Sequence, residues 1–376
     1  MATTLITPVV VAKESLIALE NNMVTGSLCY RTYSKEYKSI GATVVIRKPA
    51  SFTATAFTST VGYSTITESS VAVVLDRHWD VSFEVTTQEL SLDIVDFSEQ
   101  LIQPAMRAIA QAVDSDICSR SATAIAGYYP VTSTPAVSDI AGVEAVLDVL
   151  KAPLTDRRLV LHAITKSAYL SLDAFLNADK RGDGGQALRT AEIGRVLGFD
   201  TYMDQNIPTQ TRAFLGAGTG SITGAWSAAG TAGTVTGATA AAVSTAPIGT
   251  PFKVTGYDEW FYMTAPCTAG TSGIATISQF SPAVKATTMT DASVVTFQLT
   301  GRDNLAFHKN GIALVTAPLQ PPLGGAKAAV VTYKGLACRV VYDYDMQYKK
   351  NQISIDFLCG VKMLDKDLCA RLIDKR

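Results

Sequence analysis

The sequence predicts an α+β fold with a long helix, an extended loop before it and an inserted all-β segment after it. Three observations support this prediction. Residues 104–126 keep helical spacing over roughly 35 Å, at 1.5 Å per residue. Residues 137–216 alternate between helix-like and strand-like patterns, as in a compact α/β lobe. Residues 217–302 carry very few charges and consist of short strand-like runs between turns.

Length and composition limit the classes of protein to which the chain can belong. At 376 residues it exceeds one typical core, so two or three lobes are expected. Hydrophobic residues make up 47% of the chain and charged residues only 17%. Much of the surface is therefore neutral, and other copies of the same chain often cover such a surface. The net charge of −1 gives no global basic field for nucleic acid or an anionic membrane.

Membrane insertion, secretion and disulfide bonding are not expected. No stretch approaches the apolar length that spans a bilayer, and the first 20 residues lack the basic region of a signal peptide. The cysteines are scattered and contain no CxxC pair, so reduced and mostly buried thiols are predicted. These cysteines are Cys29, Cys118, Cys267, Cys338, Cys359 and Cys369.

The N-terminal part is interpreted as an arm, residues 1–38, followed by an extended loop, residues 39–84. The arm holds one short helical pattern. In the loop, residues 43–49 predict a strand, and residues 79–85 alternate apolar and polar side chains like a half-buried strand. The tip between them, around residues 53–69, consists mostly of Ser, Thr and Ala. It has too little apolar surface to pack on its own domain, so we expect it to lie on a neighbour.

Residues 85–136 contain the longest predicted helix. Asp96 is a candidate cap for a first turn, and Pro104 is well placed to open the main helix. The helix is expected to continue to about Ala126 and to stop at Gly127. Its predicted apolar face consists of Ala105, Ala108, Ile109, Ala112, Val113 and Ile117.

The α/β segment, residues 137–216, has a predicted order of elements. A helix over 143–150 precedes a buried strand over 158–163. A second helix, over 165–176, is expected to be capped by Thr165. After a polar loop, the stretch AEIGRVLGFDTYMDQNIP (191–208) predicts a short helix ended by Gly198, a strand and an Asn-Ile-Pro turn.

Residues 217–302 are predicted to be an all-β insertion, because α/β patterning resumes after them. In residues 303–334, the stretch NLAFHKNGIALVTAP (304–318) predicts a polar turn that leads into a buried strand over 312–315. Residues 335–376 predict a hairpin with its turn at 349–351, followed by a short amphipathic segment over 362–372.

No catalytic, cofactor-binding or metal-binding residues are predicted. The three histidines, His78, His162 and His308, share no motif spacing, and His162 is interpreted as a core residue. No GxSxG sequence nominates a nucleophile. The glycines at 216, 218, 220 and 224 match neither GxGxxG nor a P-loop, so they are interpreted as a flexible entry to the insertion.

Two further clusters have structural interpretations. Arg181-Gly182-Asp183 suits a solvated turn, although an adhesion role is conceivable. Asp343 and Asp345 share one face of a strand, where they could bind a cation or pair with a neighbour, but a solvent-facing surface is favoured. Residues 258–262 combine aromatic with acidic side chains, which suits a core or an interface better than nucleic-acid stacking.

The stretches 191–208 and 304–318 resemble motifs of tailed-bacteriophage major capsid proteins, in the same order along the chain. The order of elements resembles the Hong Kong 97-type fold, and residues 249–260 and 273–284 resemble the inserted β-barrel of some short-tailed phage coat proteins. The resemblance implies seven segments: N-terminal arm 1–38, extended loop 39–84, peripheral domain with the spine helix 85–136, axial domain 137–216, inserted β-domain 217–302, axial domain again 303–334, and peripheral C-terminal strands 335–376.

The resemblance also implies a function and partners. The chain is expected to be a non-enzymatic shell protein without cofactors, found in the virion and assembled in the host cytoplasm. Its expected partners are other copies of itself in hexamers and pentamers, a scaffolding protein, a portal protein and packaged DNA bound without sequence specificity. Three alternatives remain open: an encapsulin-like nanocompartment protein, a surface-binding β-protein of a phage tail or spike, and an enzyme with an undetected site.

Overall fold

The fold is described from a computed structural model of the chain. The described residues are 7–31, 40–48, 70–85, 98–125, 127–131, 135–177, 190–210, 219–237, 244–257, 260–269, 274–284, 289–297, 301–322, 327–346 and 350–374. Several predictions fall outside these ranges. They concern the loop tip at 53–69, the cap at Asp96, the glycines at 216 and 218, the turn at 181–183, and the acidic pair at 258–259.

The described residues form helices and strands in mixed order, so the predicted α+β class is confirmed. None of these helices is long and apolar enough to cross a bilayer. The α-helices are α1 (Pro8–Asn22), α2 (Thr25–Leu28), α3 (Gln103–Ala124), α4 (Val137–Val149), α5 (Ala163–Leu170) and α6 (Asp173–Leu176). A π-helical turn (Ser98–Ile102) precedes α3, and a 3₁₀ turn (Lys366–Leu368) lies near the C-terminus.

The strands within the described ranges form four sheets. Those before the charge-poor segment are β1 (Thr43–Arg47), β2 (Ser70–Val74), β3 (Arg77–Val85), β4 (Gly127–Val131), β5 (Arg157–Leu161), β6 (Arg195–Val196), β7 (Phe199–Met203) and β8 (Thr209–Gln210). Those within it are β9 (Thr219–Thr223), β10 (Gly233–Gly237), β11 (Ser244–Ala246), β12 (Pro251–Val254), β13 (Trp260–Met263), β14 (Cys267–Ala269), β15 (Ile274–Ile277), β16 (Phe280–Ser281) and β17 (Val294–Phe297). Those after it are β18 (Gly301–His308), β19 (Ile312–Thr316), β20 (Lys327–Tyr333), β21 (Leu336–Asp345), β22 (Lys350–Met363) and β23 (Cys369–Asp374).

The chain divides into two compact units. The first contains Met1–Asn22, Arg31–Ala110 and Ala313–Leu364. Its main sheet has the order β19-β22-β21-β20, and β3 also pairs with β22. Strand β3 shows the predicted alternation, because its odd-numbered side chains from Trp79 to Val85 are covered while the even-numbered ones are exposed. The predicted C-terminal hairpin is also present as β21 and β22, although Lys350 and Asn351 lie in β22 rather than in the turn.

Helix α1 is longer than the short helical pattern in the sequence and packs on β20 and β21 of the same unit. Its fully covered side chains include Val11, Ala12, Leu16 and Leu19. Val11 and Ala12 are adjacent, and Leu16 and Leu19 follow at helical spacings of four and three residues, which puts all four on one face of the helix.

Helix α3 confirms the long predicted helix and places Pro104 in its first turn, but its buried face differs from the predicted one. Ala108 is exposed and Ala112 only half-buried, whereas Met106 and Ala110 are buried. The buried positions form adjacent pairs that repeat every four residues, so the buried face of α3 is wider than the spacing of apolar residues predicted. This wider face also includes a carboxylate, Asp114, which is 0% exposed.

The second unit contains Met23–Tyr30, Gln111–Ile312 and Asp365–Arg376. Its central sheet has the order β4-β23-β18-β5-β7-β6, with β8 paired to β18. Strands β4 and β23 are parallel, as are β5 and β7, while β18 is antiparallel to both of its long neighbours. Helix α4 contributes Ile140, Val143 and Leu147 to the core beside this sheet. It begins six residues before the predicted start at 143.

The prediction of a short helix before Gly198 is wrong. Residues 195–203 form a hairpin of β6 and β7 instead. Leu197 and Gly198 occupy its two-residue turn with φ values of 45° and 80°. A two-residue turn with positive φ at both positions matches the twist of paired strands, so Gly198 serves a turn here and does not end a helix.

Two other predictions in this unit need correction. The helix predicted over 165–176 is divided into α5 and α6, and its N-cap is His162 rather than Thr165. The amphipathic segment predicted over 362–372 becomes the end of β22, the 3₁₀ turn and most of β23. Every residue of β23 is buried, including Arg371, so charge in the sequence gave a misleading indication of exposure.

The charge-poor segment forms a nine-stranded antiparallel sheet with its own apolar core. The order is β11-β14-β15-β10-β9-β17-β12-β13-β16. Phe252 lies at the centre of this core, with ring centroids 5.5–5.6 Å from those of Phe261, Phe280 and Phe297. The segment begins after β8 and ends before β18, and these two strands pair with each other at Gly301 and Gln210. The chain therefore leaves and re-enters the central sheet at adjacent strands.

Candidate functional site

The histidines lie apart and each has a local structural role. His78 Nε2 is 3.1 Å from Asp356 Oδ1, whereas His162 Nδ1 accepts a hydrogen bond from the amide of Ile164 at the start of α5. His308 Nδ1 accepts one from Asn310 in the turn before β19. Burial lowers the pKa of both His162 and His308. His162 is only half-buried, so it is a helix cap rather than the predicted core residue.

The described residues contain no group of three or more His, Cys, Asp or Glu side chains that could hold a metal ion. All six cysteines are buried, in agreement with the predicted burial of the thiols. Burial raises the pKa of Cys118 and of Cys369 well above the usual thiol range, which disfavours a reactive thiolate at either position. Asp343 is exposed, in agreement with the solvent-facing interpretation of this strand.

An open cleft of about 430 Å³ lies beside β7 in the second unit. Its charged lining consists of Lys166, Glu192, Arg195 and Asp200. Arg195 and Asp200 form an ion pair at 3.8 Å, so the lining carries both signs of charge side by side. Such a balanced lining does not concentrate the field that a charged substrate would need.

The hairpin formed by β1 and β2 is the candidate functional surface in the first unit. The strands pair from Thr43 opposite Val74 to Arg47 opposite Ser70. The inner face of the hairpin carries Val44, Ile46, Val71 and Val73. These side chains pack in a cluster with Val315 and Leu358. The opposite face carries Val45 and Val74, which are 60% and 45% exposed. Two aliphatic side chains on the outer face of an isolated hairpin are suited to contact with another protein.

The base of this hairpin is fixed to the same unit by backbone contacts. Gly41 and Leu75 close the ladder, with the amide of Gly41 2.7 Å from the carbonyl oxygen of Leu75. Lys362 Nζ donates to the carbonyl oxygen of Ala72 at 2.8 Å. Any Cβ at Gly360 would collide with the carbonyl oxygen of Val74. The glycine therefore lets β22 approach β2 closely, and the hairpin starts from a rigid base.

Sequence reasoning missed the buried ionic groups that connect distant elements of the second unit. Arg371, 0% exposed, donates through Nη1 to the carbonyl oxygen of Ala122 and through Nη2 to that of Gly249 at 3.1 Å. It also lies 3.7 Å from Asp303. It thus connects the end of α3 with the turn before β12. The sequence held one weak signal for it, a basic residue between apolar positions of a C-terminal strand.

The aromatic group at 258–262, predicted to serve a core or an interface, connects the nine-stranded sheet with the central sheet. Trp260 at the start of β13 packs edge-on against Tyr128 of β4, with ring centroids 4.6 Å apart. Lys253 Nζ lies 5.9 Å from the centre of the Trp260 ring on the same sheet. The edge-to-face aromatic pair and the cation–π contact both stabilise the packing around Trp260.

No protein-family model matches this chain, and no curated protein sequence matches it. Solved structures are similar to it over most of their length. The capsid of Ralstonia phage GP4 has a TM-score of 0.49 and 9% identity, covering 93% of this chain and 87% of that one. A structure titled Mycobacterium phage Che8 has a TM-score of 0.48 and 14% identity, covering 93% and 90%. The capsid structure of cyanophage P-SCSP1u has a TM-score of 0.47 and 12% identity, covering 92% and 86%.

Proposed function

We propose that this chain is a phage major capsid protein, a structural protein without enzymatic activity. In this proposal it assembles with copies of itself, as hexamers and pentamers, into an icosahedral shell around the phage genome. The observation that carries the proposal is the order of elements along the chain. A hairpin precedes a 22-residue helix, a seven-stranded sheet and a charge-poor insertion follow, and long C-terminal strands close the chain. That is the order implied by the sequence motifs at 191–208 and 304–318.

The β1/β2 hairpin is proposed as the element that reaches a neighbouring copy. Its outer face exposes Val45 and Val74, while its base is fixed by Gly360 and Lys362. A rigid base limits the directions that β1 and β2 can take, so less conformational entropy is lost when these strands meet a neighbour. The low charge of the whole chain supports the same proposal, because neutral surface suits burial between copies.

Residues 217–302 are proposed to be an inserted β-domain, and the remaining segments to correspond to the arm, extended loop, peripheral and axial parts. The separate aromatic core and the paired strands β8 and β18 at its base support this division. The proposed partners are a scaffolding protein, a portal protein and DNA held without sequence specificity. The proposed location is the virion, after assembly in the host cytoplasm.

A test of the proposal compares two variants with matched chemistry. Val45→Glu places a charge on the hairpin, and Val294→Glu places the same charge at a 46% exposed valine of the nine-stranded sheet. We expect the unmodified chain, produced with its scaffolding protein, to sediment as closed shells that are visible by negative-stain microscopy. Val45→Glu should remain in small oligomers because a contact would have to bury an unpaired charge. Val294→Glu should still form shells.

Three outcomes would decide against the proposal or a part of it. If the unmodified chain forms only small discrete oligomers under all conditions, it is not a shell protein, and a tail or spike component becomes the better hypothesis. If Val45→Glu assembles as well as Val294→Glu, the hairpin does not take part in assembly. Particles that enclose an enzyme rather than DNA would favour an encapsulin-like compartment.

A further inference from the structure

Helix α2 is a single turn whose first amides are held by a carboxylate from another element. Asp114 of α3 accepts hydrogen bonds from the amide of Val24 through Oδ2 and from the amide of Gly26 through Oδ1, both at 2.8 Å. Val24 has no side chain that could cap the turn. Asp114 therefore supplies the cap from 90 residues away, at a site where its side chain is 0% exposed.

A second buried carboxylate holds the same turn. Thr25 Oγ1 donates to Asp204 Oδ2 at 2.5 Å, and Asp204 Oδ1 accepts from the amide of Asn206 at 2.8 Å. Thr25 is 0% exposed and Asp204 is 1% exposed. The turn is thus bound by two acidic side chains from different parts of the chain, Asp114 within α3 and Asp204 directly after β7.

Among the described residues, no ion pair joins a cation to Asp114 or Asp204. The neighbouring titratable groups are Cys118 of α3, Cys29 after α2 and His162 after β5, and Arg302 acts electrostatically on His162. Burial raises the pKa of Cys118 and lowers that of His162, so both are neutral near pH 7. Arg158 donates to the carbonyl oxygen of Leu28 at the other end of the turn.

We propose that Asp114, Asp204 and Thr25 form a proton-dependent latch on residues 23–30. The latch holds tightly while the carboxyl pair keeps one proton, and it loosens when both carboxylates are ionised. Two like charges buried together disfavour double ionisation, and a proton on one of them removes the repulsion. This inference concerns the fold of the chain and does not depend on the proposed capsid function.

The direction of the pH effect follows from the pKa of Asp114. Burial, and after it the neighbouring Asp204, raise this pKa to about 7 despite opposing backbone hydrogen bonds from Gly26, Val24 and Thr25. A carboxyl group whose pKa is raised by folding stabilises the folded state below its unfolded pKa. That contribution is lost as the pH rises through the folded value. The latch is therefore closed in mild acid and weakened above neutral pH.

The position of the latch in the chain gives it a consequence. Residues 23–30 belong to the second unit, whereas the residues that precede and follow them belong to the first. Opening the latch would release this turn from α3 and from the residue after β7 at once, so a proton at one buried site regulates how tightly residues 23–30 are held.

Hydrogen exchange of the full-length chain tests the latch. The opening equilibrium of residues 23–30 should rise about tenfold between pH 6 and pH 8, after correction for intrinsic exchange rates, because Asp114 loses its proton in this range while the turn is closed. Residues of β22 serve as an internal reference that should not change. Asp114→Asn should abolish the pH dependence to within about twofold, since the titrating group is gone.

A matched control lies on the same helix. Asp116, which pairs with Arg120 at 2.9 Å, takes no part in the latch, so Asp116→Asn should keep the tenfold change. Equal protection of residues 23–30 at both pH values in the unmodified chain would overturn the proposal, as would a tenfold change in Asp114→Asn. Should Asp114→Asn fail to fold, Asp204→Asn decides instead. It removes the like charge, so it must lower the midpoint of the transition, and an unchanged midpoint would again overturn the latch.

Discussion

The nine-stranded sheet and the seven-stranded sheet of the second unit bury different kinds of side chains. The former is filled by aromatic and aliphatic side chains around Phe252, and the segment that forms it carries very few charges. The latter also buries ionic groups, among them Arg157, Arg371, Asp303 and Asp374, each at 1% exposure or less. An apolar core gains stability by excluding water from many small contacts. A buried ion must instead recover its lost hydration through specific partners, so it depends on a few directed bonds.

The first prediction tests the apolar region and has the largest expected effect. Phe252→Ala should reduce the free energy of unfolding of the nine-stranded sheet by about 3–5 kcal/mol, because it leaves a cavity between three other rings. Hydrogen exchange should show the loss across residues 219–297. Phe252→Leu, which keeps most of the volume, should cost about 1.5 kcal/mol or less.

This variant also tests whether the two sheets unfold separately. Residues of β5 and β18 should keep their protection in Phe252→Ala if the nine-stranded sheet is a domain of its own. An equal loss of protection in both sheets would mean that they form one cooperative unit, and the proposed inserted domain would then be wrong.

The second prediction tests the ionic region. Arg371→Met should reduce the free energy of unfolding by about 3 kcal/mol, since it removes the cation beside Asp303 and the donors to Ala122 and Gly249. Arg195→Met is the matched control. It breaks a pair of similar length, 3.8 Å from Asp200, but Arg195 is 68% exposed. The control should change stability by less than about 0.5 kcal/mol in denaturant unfolding. Equal losses in the two variants would show that burial does not govern the strength of these pairs.

The same contrast explains how much of the molecule the sequence could predict. The apolar periodicity of α3, the alternation in β3 and the composition shift at 217–302 are local signals, and each corresponds to an element of the structure. Burial of Asp114 and Arg371 depends on partners that lie 90 and 249 residues away along the chain. No local pattern carries that information, because a charged residue is by default expected at the surface.

Errors in individual elements have a related cause. Gly198 and the residue before it carry a signal that fits both the end of a helix and a two-residue hairpin turn, and pairing with β7 decides between them. The sequence predicts the first strand of the candidate hairpin surface, over 43–49. It does not predict the fixed base of this hairpin, because the close approach of Gly360 to Val74 brings together residues almost 300 positions apart.

The third prediction concerns backbone strain, which should cost the same in both regions, and it has the smallest effect. Gly198 and Gly256 have φ values of +80° and +92°. An added Cβ would meet only Glu144 Oε1 at 3.5 Å in the first case and nothing within 4 Å in the second. Each Gly→Ala substitution should therefore cost about 1 kcal/mol from the left-handed backbone alone. Ala229, with φ of 60°, allows the reverse exchange, and Ala229→Gly should leave stability unchanged or raise it slightly. Denaturant unfolding of the three variants measures these differences. If Gly198→Ala costs several times more than Gly256→Ala, the surrounding sheet rather than the dihedral angle sets the cost, and the two regions would differ in rigidity as well as in the chemistry of their cores.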